Sequence, residues 1–181
     1  WAWRRVDQVL SVSSKLSERM SREIGFPSNR IRTIRNGVDL HRFHPRHTGE
    51  ARRRIDLGSE QVVIGTVGRL VPVKNQRMLL DATGRLVRRG LPVVTVLVGD
   101  GSLRRELESH SERLGIVPFV RFLGERSDVE EVMAAFDVFT LTSVTEGLSN
   151  TIQEAMATGV PVVATRVGGA DELVDDGCTG L

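Results

Sequence analysis

Two apolar, β-rich runs, Val62 to Val67 and Val93 to Val98, constrain this chain most, because neither alternates with polar residues. A strand with one wet face alternates; an uninterrupted run is buried on both faces, which requires helices above and below its sheet. Between the two runs, residues 75–89 have helical periodicity, with Leu79, Leu80, Leu86 and Val87 on one side. A helix over 102–114, a strand over 119–122, a helix over 129–135 and a strand over 137–141 follow. Strands alternating with helices predict an α/β fold, a parallel sheet with helices on both faces. Glycines follow the strands at Gly68, Gly99, Gly101 and Gly124, and ligands on such sheets bind beyond the carboxyl ends of the strands.

Residues 146–169 hold the most pointed pattern. They read as a loop opened by Glu146, a short helix capped by Ser149 or Asn150 and stopped at Gly159, a strand over 160–164, and a turn at Gly168 and Gly169. Glu146 and Glu154 frame the helix start. On a single helix their backbones would lie about 12 Å apart at a rise of ~1.5 Å per residue, whereas the paired carboxyls of glycosidases lie roughly 5–9.5 Å apart. The spacing suits two ends of one elongated ligand, with free helix N–H groups open to an anion between them. Two solvated glutamates flanking a cap fit it equally well.

With its neighbours, the pair resembles the glutamate, seven residues, glutamate signature of retaining glycosyltransferases with the two-Rossmann-domain GT-B fold, in the large group called family 4 or group 1. Gly147, then Ala155, Met156 and Ala157, then Gly159, Val160, Pro161 and Val162, then Gly168, Gly169 and Glu172 follow that pattern. Upstream, Gly68 and Arg69 with Lys74 resemble the family's phosphate-binding pair. Asn36, Gly37, Val38 and Asp39 with Phe43 and Pro45 resemble its interdomain segment. The likeness covers nearly the whole chain in the family's order.

The resemblance implies that residues 1–45 are the remnant of an N-terminal acceptor-side domain and the interdomain segment. Residues 46–181 would be the Rossmann-like nucleotide-sugar-binding domain at the C-terminal side of a GT-B fold, and the chain is read as truncated at both ends. Carried over residue by residue, it implies that Arg69 and Lys74 contact phosphate, that Glu154 accepts hydrogen bonds from ribose and Glu146 from the donor sugar. Backbone N–H groups of Gly147, Leu148, Ser149 and Asn150 would approach the sugar or phosphates. The implied donor site is thus Gly68, Arg69, Lys74, Glu146, Gly147, Leu148, Ser149, Asn150 and Glu154, with Glu146, Arg69 and Lys74 in the catalytic step. Gly168 and Gly169 would allow close packing, and Glu172 would brace the loop.

The implied activity is transfer of a hexosyl group from a UDP- or GDP-sugar to an acceptor hydroxyl with retention, in exopolysaccharide or cell-surface glycan assembly, without a cofactor. A glycan or lipid-linked acceptor would be held by the absent N-terminal domain, so residues 1–181 alone are expected to bind donor without transferring it. The implied location is the cytoplasm, with peripheral association at the inner face of the membrane. A non-catalytic nucleotide-sugar-binding module and a nucleotide-sugar 2-epimerase share the architecture; the Glu146 and Glu154 signature with Arg69 and Lys74 favours the transferase over the epimerase.

A donor diphosphate needs counter-charge. Many transferases of the other major fold supply it with a metal on an Asp-x-Asp motif, and no two aspartates here lie two positions apart. The task falls to Arg69, whose guanidinium can grip phosphate with two N–H groups, and Lys74, a point charge. Without the family context both read as exposed loop cations. His41, His44 and His47 are spaced by three, but Pro45 interrupts them and no metal site is assigned.

Before this unit, a strand over 7–13, a helix from Ser14 to Ile24 and a strand over 30–34 form a unit with no sheet of its own, and 50–56 reads as a charged helix. Residues 1–54 carry 13 Lys/Arg against 5 Asp/Glu, and residues 55–181 carry 12 against 18. Solvated helix faces explain such a surplus, and with no nucleic-acid module or aromatic platform, nucleic acid is not an expected partner. No apolar run approaches the roughly 20 residues of a membrane span. Cys178 has no second cysteine to pair with.

Overall fold

The structure, a computed structural model, describes residues 5–181. It begins with β1 (Val9–Ser11), α1 (Ser14–Ile24) and β2 (Ile31–Thr33). The α1 limits follow from its caps: Ser13 Oγ accepts from Leu16 N at 3.2 Å, and Gly25 closes the helix in the left-handed region, φ +70°. Contrary to expectation, β1 and β2 do have a sheet of their own, pairing in parallel with Val9 opposite Ile31 and Ser11 opposite Thr33. The crossover through α1 returns the chain beside its start, where each strand satisfies backbone groups the other would leave unpaired.

After α2 (Thr48–Arg53), the chain builds β3 (Val62–Val67), α3 (Gln76–Arg88), β4 (Val93–Val98), α4 (Arg104–Arg113), β5 (Val120–Gly124), α5 (Val129–Met133), β6 (Val138–Leu141), α6 (Asn150–Ala157) and β7 (Val162–Ala164). The strands form one sheet, all parallel, in the order β5-β4-β3-β6-β7. All six residues of β4 are buried. Val94, Val96 and Val98 join a core with Phe139, Ile152 and Met133, whereas Leu97 faces Leu80, Leu107 and Ile116 of the second core. Helices α3 and α4 therefore cover one face and α2, α5 and α6 the other, as the uninterrupted runs predict. Val160 and Pro161 lie outside β7, which is shorter than expected.

The connecting segment is part of this packing. Phe43, Ala51, Ile55 and Leu57 are buried with the α5 and α6 side of the core. Asp39 ties the turn before Phe43, its carbonyl accepting from Phe43 N at 2.8 Å and its carboxylate from His41 N at 2.9 Å. Arg42 pairs with Glu130 and Arg46 with Glu131, both glutamates on α5. Among the described residues no helix is long and apolar enough to cross a membrane.

Candidate functional site

The strand order creates the site. From β3 the chain moves outward through β4 to β5, then returns past β3 to β6 and on to β7. The loops after β3 and β6 therefore leave neighbouring strands in opposite directions, opening a crevice at the carboxyl edge where such sheets take ligands. Gly68, Arg69 and Lys74 lie on the loop after β3; Glu146, Gly147, Leu148 and Ser149 on the loop after β6, with Asn150 and Glu154 on the helix that follows.

Across that crevice Lys74 Nζ donates to Glu146 Oε1 at 2.5 Å, joining residues 72 apart in sequence. Ser143 Oγ donates to the same oxygen at 2.7 Å. The backbones are tied as well: Val144 N donates to Val73 O at 2.9 Å and Thr142 Oγ1 to Lys74 O at 3.1 Å. The β3 loop is fixed on its other side by Leu70 N to Asp100 O (2.9 Å) and Leu103 N to Leu70 O (3.0 Å). Asp100 accepts from Gly101 N and Arg104, so Gly99 to Gly101 is a tight turn against the β3 loop. A Cβ on Gly99, where φ is +120°, would lie 2.2 Å from Gly68 O.

Arg69 is exposed, and its side chain has no partner among the described residues. Its carbonyl accepts from Gln76 Nε2 at 2.9 Å, and Gln76 is 2% exposed. Asn75, in the left-handed region at φ +49°, separates a 3-10 turn over Pro72–Lys74 from α3. Asn is among the few residues that adopt that backbone readily. The helix thus starts one residue later than predicted, and Lys74 is left in the turn facing the crevice.

On the other wall, Ser149 and not Asn150 is the α6 cap, its Oγ accepting from Ile152 N. Asn150 Oδ1 instead accepts from Asn36 Nδ2 at 2.8 Å, joining the connecting segment to the helix start. The Leu148 side chain is buried, so it offers only its backbone. Glu154 lies near Arg42 and Glu130 and has no side-chain hydrogen bond among the described residues; burial pushes its carboxyl above the usual glutamate range, against the pull of Arg42. Among the described residues Glu146 and Glu154 share no hydrogen-bond partner.

Gly168, at φ +57°, lies against the loop so closely that a Cβ would be 1.9 Å from Glu146 O, and Gly169 N donates to Gly147 O at 2.8 Å. Glu172 does not brace this loop. It anchors the N-terminal unit, accepting from Lys15 N at 3.0 Å and Arg35 Nη2 at 2.9 Å. Burial raises its pKa, but the bonds from Lys15 N, Arg35 and Ser14 N outweigh that and hold it below the usual range. Between Lys15, Leu16 and Arg19 of α1 and Thr145, Glu146 and Gly168 opens a cavity of about 300 Å³. Glu146 therefore faces a space shared by the two units. Among the described residues no three His, Cys, Asp or Glu side chains are grouped to hold a metal ion.

Sequence reading missed Ser143, Gln76 and the Asn36 contact. A serine three residues before Glu146, just past a strand, was the available signal for the first; nothing local marks the others.

The sequence model of the family "Glycosyl transferases group 1" matches residues 61–181. The chain is 38% identical over 173 residues to the D-inositol 3-phosphate glycosyltransferase of Corynebacterium urealyticum, covering 88% of this chain and 41% of that protein. It is 34% identical over 150 residues to the UDP-Gal:alpha-D-GlcNAc-diphosphoundecaprenol alpha-1,3-galactosyltransferase of Escherichia coli, covering 80% and 39%. Among solved structures, Anabaena HepE in complex with UDP and glucose superposes with a TM-score of 0.91 at 32% identity, over 99% of this chain and 50% of that one. Its complex with UDP-glucose gives 0.90. The chain thus spans half or less of the length of each of these proteins.

Proposed function

Since the chain belongs to the group 1 glycosyltransferases, we propose that its five-stranded unit, with the connecting segment, is the donor-binding half of a retaining, metal-independent hexosyltransferase of cell-surface or exocellular glycan assembly. The donor is a UDP-sugar. The diphosphate lies at the β3 loop and the α6 N-terminus, where Arg69, Lys74 and free N–H groups from Gly147 to Asn150 offset its charge and stabilise it as the leaving group. Ribose hydroxyls donate to Glu154, and hydroxyls of the transferred sugar donate to Glu146. The acceptor enters from the α1 side, where the rest of an N-terminal domain completes the cleft.

One observation carries the reading. The strand-order reversal brings a cation, Lys74, and an acidic acceptor, Glu146, onto facing walls of one crevice. HepE, which superposes over 99% of the chain, takes UDP and UDP-glucose. Among the described residues the half-buried carboxylate of Glu154 has no hydrogen-bond partner of the kind that burial of a charge calls for, and ribose hydroxyls would supply one.

Calorimetric titration of the full-length protein with UDP and UDP-glucose tests the assignment. Glu154→Gln is expected to weaken both ligands by similar factors, because ribose is common to them. Glu146→Gln is expected to spare UDP and weaken UDP-glucose by about tenfold, the scale of one hydrogen bond to a charged group. Equal losses in Glu146→Gln would move that residue away from the sugar; no loss in Glu154→Gln would remove the ribose role.

A further inference from the structure

The geometry assigns Ser143 as a positioning residue for Glu146, an inference that rests on the donor reading above. Glu146 Oε1 receives two hydrogen bonds, from Lys74 Nζ at 2.5 Å and Ser143 Oγ at 2.7 Å, while Oε2 has no partner among the described residues. The two donors differ in how firmly they are held. Lys74 is 23% exposed at the end of a flexible stem, and it is the cation a diphosphate would draw away. Ser143 is 1% exposed and follows β6 by two residues. Its carbonyl accepts from Thr165 Oγ1 at 2.6 Å, and Thr165 N is bonded in turn to Leu141 O at 2.8 Å. A carboxylate only accepts, so the Ser143 hydroxyl hydrogen must point at Glu146.

Ser143 is the permanent partner of Oε1 and Lys74 the exchangeable one. When phosphate takes Lys74, the serine keeps Oε1 engaged and holds the carboxylate plane, leaving Oε2 directed at the sugar hydroxyl. Without it, both oxygens would turn freely and direction would be lost just as the donor arrives. The Glu146 main chain is fixed separately by Gly168 packed against its carbonyl, so Ser143 acts on the side chain alone.

The experiment is a double-mutant cycle in the full-length protein with Ser143→Ala, Glu146→Ala and the double variant, titrated with UDP and with UDP-glucose. Ser143→Ala is expected to keep UDP affinity within about twofold and weaken UDP-glucose by about tenfold. The double variant is expected to bind UDP-glucose no more weakly than Glu146→Ala. Equal loss of both ligands, no loss, or multiplication of the two single effects would mean that Ser143 does not act through Glu146, and the donor reading would stand. Full UDP-glucose affinity in Glu146→Ala would overturn both.

Discussion

Gly168→Ala adds a single methyl group, yet it attacks the site at its tightest backbone contact. Gly168 sits at φ +57°, where an L-residue costs about 1–2 kcal/mol. The added Cβ would lie 1.9 Å from Glu146 O and 2.7 Å from Glu146 C. Opening the first contact to 3.4 Å, where ordinary packing begins, needs 1.5 Å of movement, and the obstructing atoms are backbone that cannot rotate away. Overpacking of this kind costs about 1–3 kcal/mol. The sum, roughly 2–5 kcal/mol, lowers the melting temperature of a unit this size by roughly 4–20 °C. The displaced loop also carries Glu146 off Ser143 and Lys74, so UDP-glucose should bind at least about tenfold more weakly. Gly177→Ala is the control: φ is +77° but a Cβ there meets nothing within 4 Å, so it bears the conformational cost alone. Thermal melts of both variants and UDP-glucose titration well below the transition read the two contributions. Gly168→Ala melting with Gly177→Ala, with donor affinity intact, would refute the steric account.

Arg69→Ala and Lys74→Ala should each weaken UDP about tenfold or more, and UDP binding should persist in EDTA; loss in EDTA restored by manganese, with both variants unaffected, would reassign the phosphate to a metal. The raised pKa of Glu154 gives a stability with a definite sign. Its contribution is fully present below the ordinary glutamate range, where both states are protonated, and is lost as pH rises through the folded-state value. In the ligand-free protein Glu154→Gln should therefore be more stable than the parent at neutral pH, the gain vanishing below the glutamate range. Urea midpoints across that span check it, and a Gln variant less stable at neutral pH would show that the carboxylate is paired.

What was legible in the sequence depended on how local its cause is. Val62 to Val67 and Val93 to Val98 match β3 and β4 residue for residue, because an apolar run without alternation leaves little ambiguity, although only β4 is buried throughout and β3 opens to solvent at Val62. Ser14 to Ile24 matches α1 because a capping serine and a left-handed glycine bracket it. The pairing of β1 with β2 was not legible, since no residue in either strand names its neighbour. Glu146, Lys74 and Arg69 could be singled out by type and pattern, but not that Glu146 binds Lys74 while the Arg69 side chain has no partner among the described residues, because strand order decides which loops meet. Glu172 was expected at the Glu146 loop and instead meets Lys15 and Arg35, more than 130 residues earlier. Asn75 could have been read as a left-handed break ahead of α3; its side chain suits a helix start equally well, which hid the turn that aims Lys74.

The ties between the turn holding Lys74 and the loop holding Glu146, Val144 N to Val73 O and Thr142 Oγ1 to Lys74 O, have a consequence for engineering. The two loops are tied to each other at two points, so a graft that exchanges the Glu146 loop alone for that of a relative would also disturb the turn that holds Lys74. Chimeras that move residues 71–75 together with 142–149 preserve both contacts, which makes this discontinuous pair of segments the unit to exchange.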